Sequence, residues 1–140
     1  MSNAAMMAPV FAQIALIFAI LTKVGTSRVA AFKAREVSLG EVALSAECWN
    51  NNIKKASNNF NNQMQLPVLF LAVAGFFIVL GKVDILGIVL AWAFVASRYV
   101  HSFIHIGSNR VGRRFKVYTF GVLVLVTLWV WLALRLYVIG

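Results

Sequence analysis

The segment SRYVHSFIHIGSNRVGRR, Ser97–Arg114, follows directly on the apolar GIVLAWAFVA. An arginine, two histidines and an asparagine thus continue an oily helix. Arg98, His101, His105 and Asn109 recur at steps of three or four residues, so on a helix they form one polar stripe. Val95, Val100, Phe103, Ile104 and Ile106 fall on the other face, suited to lipid or core. A charged side chain within a bilayer costs roughly 3 kcal/mol even on lenient scales. It persists where protein or water surrounds it, so the stripe is a candidate functional seam.

Working outward, the 140-residue chain is 61% hydrophobic and only 12% charged. Soluble domains run at about half and a quarter, so a soluble fold is disfavoured. Apolar runs at Met7–Thr22, Leu66–Leu80, Ile85–Ala96 and Val117–Ile139 read as membrane helices rather than soluble core. The first has no basic leader and no convincing cleavage site, which argues against a signal peptide. Residues 2–4 (Ser-Asn-Ala) resemble an expression scar and carry no weight.

The fold class expected is all-α: one domain, residues 1–140, forming an up-down-up-down bundle of four membrane helices. Helix 1 is placed at about 7–35, helix 2 at about 47–80, helix 3 at about 84–108 and helix 4 at about 112–137. Glu36–Ala46 reads as a loop, and Pro67 falls inside helix 2. Asp84 is an N-cap candidate after the tight turn Gly81–Asp84. Most of the +9 charge sits between the first and second runs and between the third and fourth. The positive-inside rule puts both of those loops in the cytoplasm and both termini across the membrane. The same charge gives no reason to expect nucleic acid. Trp129 and Trp131 are read as lipid or interface packing, and Arg135 as snorkelling to the outer surface.

Helix 2 opens with a second polar block, NNIKKASNNFNNQMQ, Asn51–Gln65. Asn58, Asn62 and Gln65 are assigned to one face, Asn59 and Gln63 to the next. Levelling helices 2 and 3 at their turn puts Arg98 beside Gln65 and Leu66, His101 beside Gln63, and His105 beside Asn59. The two polar blocks therefore share one depth. Their amides point several ways, and a second subunit would cover those that one bundle leaves bare.

FNNQMQLPVLF, Phe60–Phe70, and SRYVHSFIH, Ser97–His105, resemble the helix-2 and helix-3 motifs of the MAPEG family, membrane-associated proteins in eicosanoid and glutathione metabolism. Asn62, Pro67 and Phe70 match the first motif; Arg98, His101 and His105 match the second. NRVGRR and Tyr118 fit bacterial members. The resemblance implies a homotrimer in a bacterial cytoplasmic membrane, with glutathione held between subunits near the cytoplasmic face. It also implies transfer of glutathione to lipophilic electrophiles, or peroxide reduction. Gln65, or Met64 in a shifted alignment, stands where the family has glutamate. Arg28 and Lys33 bracket the place of the family's thiolate-stabilising arginine.

An arginine fork suits a carboxylate, which makes Arg98 and Arg113 or Arg114 candidate ligands for glutathione. Asn58, Asn62 and Gln65 suit its amides, and His101, His105 and Asn109 complete the seam. A nearby cation lowers a thiol's pKa from about 8.5; Arg28, Lys33 and Arg114 are the candidates. His101 and His105 also spell HxxxH, but with no further histidine and no nearby acid no metal is expected. Two other readings stand beside the enzyme: a non-catalytic protein binding an anionic metabolite or lipid headgroup, and a channel or transporter component.

Overall fold

In hydrocarbon every backbone N–H and C=O must be satisfied within the chain, so apolar runs of this length become helices. The computed structural model describes residues 2–140, and among them six α-helices: α1 (Asn3–Lys33), α2 (Leu39–Leu44), α3 (Asn51–Gln63), α4 (Leu66–Val79), α5 (Ile85–Ile106) and α6 (Val111–Tyr137). Four stretches are long and apolar enough to cross a membrane: α1, α3 with α4, α5, and α6. Phe11, Phe18, Phe103, Phe120 and Leu123 are exposed on the outside. The interior is filled by Met6, Phe70, Phe77, Phe94 and Leu128, with Phe70 and Phe94 stacked at 4.8 Å. Lipid is as apolar as these side chains, so van der Waals fit rather than expulsion from water holds the helices together.

Several expectations need correction. Helix 1 starts at Asn3, inside the stretch set aside as a scar. Helix 2 is not continuous from Glu47 to Leu80. Pro67 has no N–H to give the carbonyl four residues back, that of Gln63, and its ring crowds the preceding turn. The helix therefore stops at Gln63, turns through Met64 and Gln65 (φ −102°, ψ −101°), and restarts with Pro67 in the first turn of α4, where proline is tolerated. Nor is Glu36–Ala46 plain loop. Ser38 and Glu41 form a capping box, which starts α2: the Ser38 hydroxyl accepts from Glu41 N–H at 3.3 Å and Glu41 accepts from Ser38 N–H at 2.8 Å. The bonds that the Glu41 carboxylate accepts, from the Ser38 N–H and from the Ser38 hydroxyl, hold it below its usual range. A short 3₁₀ turn over Ala46–Cys48 follows, so Glu47 precedes helix 2 rather than starting it; Asn50 caps α3 instead.

The far end of α1 and the start of α3 are tied by a small second core. Phe32 meets Trp49 edge-on at 5.5 Å, and Ala31, Val37 and Ile53 are buried around them. Between α4 and α5 the chain reverses through Gly81, at φ +64°. There Gly81 N–H bonds Ile78 C=O and Lys82 N–H bonds Phe77 C=O, the pairing that favours glycine at a helix end.

Asp84 then does two jobs. It caps α5 through Gly87 N–H at 2.7 Å, and it receives Trp131 Nε1–H at 2.9 and 3.1 Å. Arg135 pairs with the same carboxylate at 3.1 Å, so it is tied down rather than free to snorkel, and Trp131 is more than packing. Asp84→Ala removes a cap, strands the Trp131 indole N–H and leaves Arg135 without its carboxylate. We expect a loss of about 2–3 kcal/mol in detergent-micelle unfolding. Asp84→Asn, which keeps the cap, should lose about half as much; equal losses would mean that the cap contributes nothing, and no loss in Asp84→Asn would mean that the α6 contacts contribute nothing.

Contacts between α3–α4 and α5 run in opposite sequence order: Phe77 touches Gly87, Phe70 stacks on Phe94, and Gln63 bonds Ser102. This brings both polar blocks to one level. The registration is offset from the sequence-based one, because Ser102 rather than His101 or His105 meets both Gln63 and Asn59.

Candidate functional site

Two buried polar groups lie side by side along α5. The first is a chain of amides and a hydroxyl linking three helices. Gln13 Nε2 donates to Gln63 Oε1 at 2.9 Å, Gln63 Nε2 donates to the Ser102 hydroxyl at 3.1 Å, and Ser102 donates to Asn59 Oδ1 at 3.2 Å. All four side chains are buried. The sequence reading did not assign these residues to the site. Gln13 could have been found as the one amide within the first apolar run. Asn59 and Gln63 continue the face of Ile53 and Ala56, an apolar spacing that marks the buried side of α3.

The second group centres on Arg98, which is only 1% exposed. Its guanidinium lies against Gly121 of α6, where even a Cβ would collide with it. Arg98 Nε donates to the Ser97 hydroxyl at 3.3 Å and Nη2 to Val117 C=O at 3.4 Å, and the rings of Phe94 and Tyr118 flank it, each 5.4 Å away. Among the described residues the ion pairs are Lys54–Glu47 and Arg135–Asp84, so Arg98 has no acidic partner. Carbonyl, hydroxyl and aromatic faces stand in for one.

Toward the basic loop, His101 is 5.9 Å from Tyr118 and 5.8 Å from His105. Arg114 bonds Asn109 Oδ1 at 2.7 Å and lies 3.3 Å from His105 Nε2. Arginine only donates, so His105 Nε2 accepts and the ring proton sits on Nδ1. That Nδ1 and the Nδ1 of His101 are buried without partners. Asn109 takes a left-handed φ of +49°, a conformation asparagine tolerates, and so turns its amide back to Arg114.

Asn62, His101, Val111, Arg114, Phe115 and Tyr118 enclose a cavity of about 200 Å³. Of the expected ligands, Asn62, His101 and Arg114 line it, while His105 and Asn109 hold Arg114. Arg98 packs behind it rather than lining it. Asn58 and Arg28 line a separate cavity of about 430 Å³ with Trp49 and Lys54. In that second site Arg28 donates to the Ser57 hydroxyl at 3.1 Å and lies 5.2 Å over the Trp49 ring. Gln65, Arg113 and Lys33 are exposed. Gln65 cannot share a face with Asn58 and Asn62, because the helix ends before it. Tyr118, absent from the expected ligand set, is the wall common to His101 and Arg98.

Neither the curated proteins nor the solved structures searched contain a match. The protein-family models do: residues 6–134 match the MAPEG family. With four spans in the matched region, this chain belongs to the MAPEG family and is an integral membrane protein.

Proposed function

We propose that the protein is a membrane-embedded, glutathione-dependent transferase or peroxidase acting on lipophilic electrophiles, assembled as a homotrimer. The observation that carries this reading is the cavity formed by Asn62, His101, Arg114 and Tyr118, backed by Arg98, with no carboxylate paired to either arginine. Such a site favours an anion. The donor set fits glutathione: Arg114 offers a planar fork to a carboxylate or thiolate, Asn62 an amide, and His101 and Tyr118 polar edges. Arg114 is held by Asn109 and His105, so it meets the ligand already oriented. Family membership supports the same chemistry.

The homotrimer is supported by the division of the candidates. Arg28 and Asn58 line one cavity, Asn62 and Arg114 another, and the two share no lining residue. A neighbouring copy would bring such part-sites together. Basic loops facing a bacterial cytoplasm, with the termini across the membrane, complete the reading. A lipophilic co-substrate would then enter from lipid between helices.

A second reading is favoured by one feature: Met64 and Gln65, where the family has glutamate, are both exposed and uncharged. A non-catalytic binder of an anionic metabolite or lipid headgroup would need no carboxylate there.

The test uses the detergent-solubilised full chain. Glutathione should raise the unfolding midpoint with concentration, and conjugation of a chlorinated dinitrobenzene, or hydroperoxide reduction, should follow. Arg114→Ala should cut the thiolate fraction at neutral pH, and with it turnover, by about tenfold or more. Stabilisation by glutathione without turnover would leave the binder; no stabilisation would remove glutathione.

A further inference from the structure

We infer that the outer groove between α1 and α5 is a binding site for an anionic membrane phospholipid, with an acyl chain along the groove and the headgroup phosphate at Lys23. The groove encloses about 260 Å³ and runs beside Leu16, Ile20, Tyr99, Phe103 and Ile106. It extends from Leu16 to Lys23, about 10 Å along α1, within two membrane-spanning helices. It is distinct from the two cavities described above and shares no lining residue with them.

Its chemistry selects hydrocarbon for the body of the ligand. The two hydroxyl residues in its wall are already committed to the protein. Tyr99 donates its O–H to Ala12 C=O at 2.8 Å, and Ser102 accepts from Gln63 and donates to Asn59. Neither hydroxyl is left to reward a polar ligand, so a sugar or peptide would lose hydrogen bonds with water and gain none. An acyl chain loses nothing.

Lys23 sets the sign of the head. It is the first charged side chain of α1, it is exposed, and it stands at the end of the groove nearest the basic loops. Among the described residues its ammonium has no ion-pair partner. A lysine at the membrane surface attracts anionic lipid by an amount equivalent to about fivefold in affinity. Basic positions between spans are also where anionic headgroups collect.

The full chain, purified in mild detergent, is titrated with phosphatidylglycerol and with phosphatidylcholine of the same acyl chains, and bound lipids are counted by native mass spectrometry. The expected result is one site preferring phosphatidylglycerol by about fivefold. Lys23→Gln should abolish the preference while keeping the lipid, and Lys23→Arg should retain both. Ala19→Phe fills the groove from an exposed wall position and should remove the site for both lipids. Equal affinity for the two lipids in the unsubstituted protein, or an unchanged lipid count in Ala19→Phe, overturns the proposal. So does disulfide formation between copies of Ala19→Cys, since the groove would then be covered by protein. Neither Lys23 nor Ala19 lines the glutathione cavity, so loss of glutathione binding leaves this result standing.

Discussion

Gly121→Ala is expected to destabilise the protein by about 3 kcal/mol or more, far beyond the cost of one added methyl on an exposed helix. The Cβ would collide with the Arg98 guanidinium and come within 2.8 Å of the Ser97 hydroxyl. A flexible side chain elsewhere would swing away. Arg98 cannot do so cheaply, because it is a buried charge whose stabilising contacts all lie here: Ser97, Val117 C=O and the rings of Phe94 and Tyr118. Moving it means dehydrating the charge without those partners, the expensive outcome for a buried ion. The check is a double-mutant cycle with Arg98→Met, followed by unfolding in micelles. Arg98→Met alone should be destabilising, through the lost bonds to the Ser97 hydroxyl and Val117 C=O and the lost contacts with the Phe94 and Tyr118 rings. In the double variant the alanine should cost much less than it does alone, since only the Ser97 hydroxyl still crowds its Cβ. If Gly121→Ala alone unfolds at the unsubstituted midpoint, the guanidinium does not lie against Gly121, and the electrostatic backing of the cavity goes with it.

Such a contact could not be read from the chain. The polar stripe Arg98–Asn109 was legible because its period matches a helix and intramembrane charge is costly; so was its depth, from the short turn at Gly81. What faces Arg98 depends on how α6 is rotated, and α6 is nearly apolar around its circumference above Lys116, so periodicity carries little information there. The same limit explains Gln65. Its place in the sequence suggested a ligand, but Pro67 ends the helix first, and the face of α3 that turns inward is the neighbouring one, with Asn59 and Gln63. Ser38 and Glu41 show the reverse: a local signal strong enough to start a six-residue helix, in a stretch read as loop for want of periodicity.

Gln63→Leu tests the other buried group, with an expected loss of about 2–4 kcal/mol. Interhelical hydrogen bonds in membranes average well under 1 kcal/mol when the unfolded helices find other partners. The larger figure follows from what the substitution leaves behind. Gln63 is the middle of the chain, bonded to Gln13 on one side and Ser102 on the other. Its loss strands the Gln13 amide where the side chain is fully buried and where Gln13 Oε1 already lacks a partner. Gln13→Leu combined with Gln63→Leu removes the stranded amide as well. It should recover most of the stability, because apolar side chains of similar size can replace a buried polar pair nearly neutrally. The double variant then separates stability from aim. Ser102 follows His101 directly on α5, so its bonds to Gln63 and Asn59 fix the rotation that turns His101 into the cavity. With stability restored but that anchor weakened, glutathione-induced stabilisation should fall while the fold persists. Full retention of ligand response in the double variant would mean that packing of Phe94 and Leu128 alone sets the rotation of α5, and that the amide chain serves only to satisfy itself.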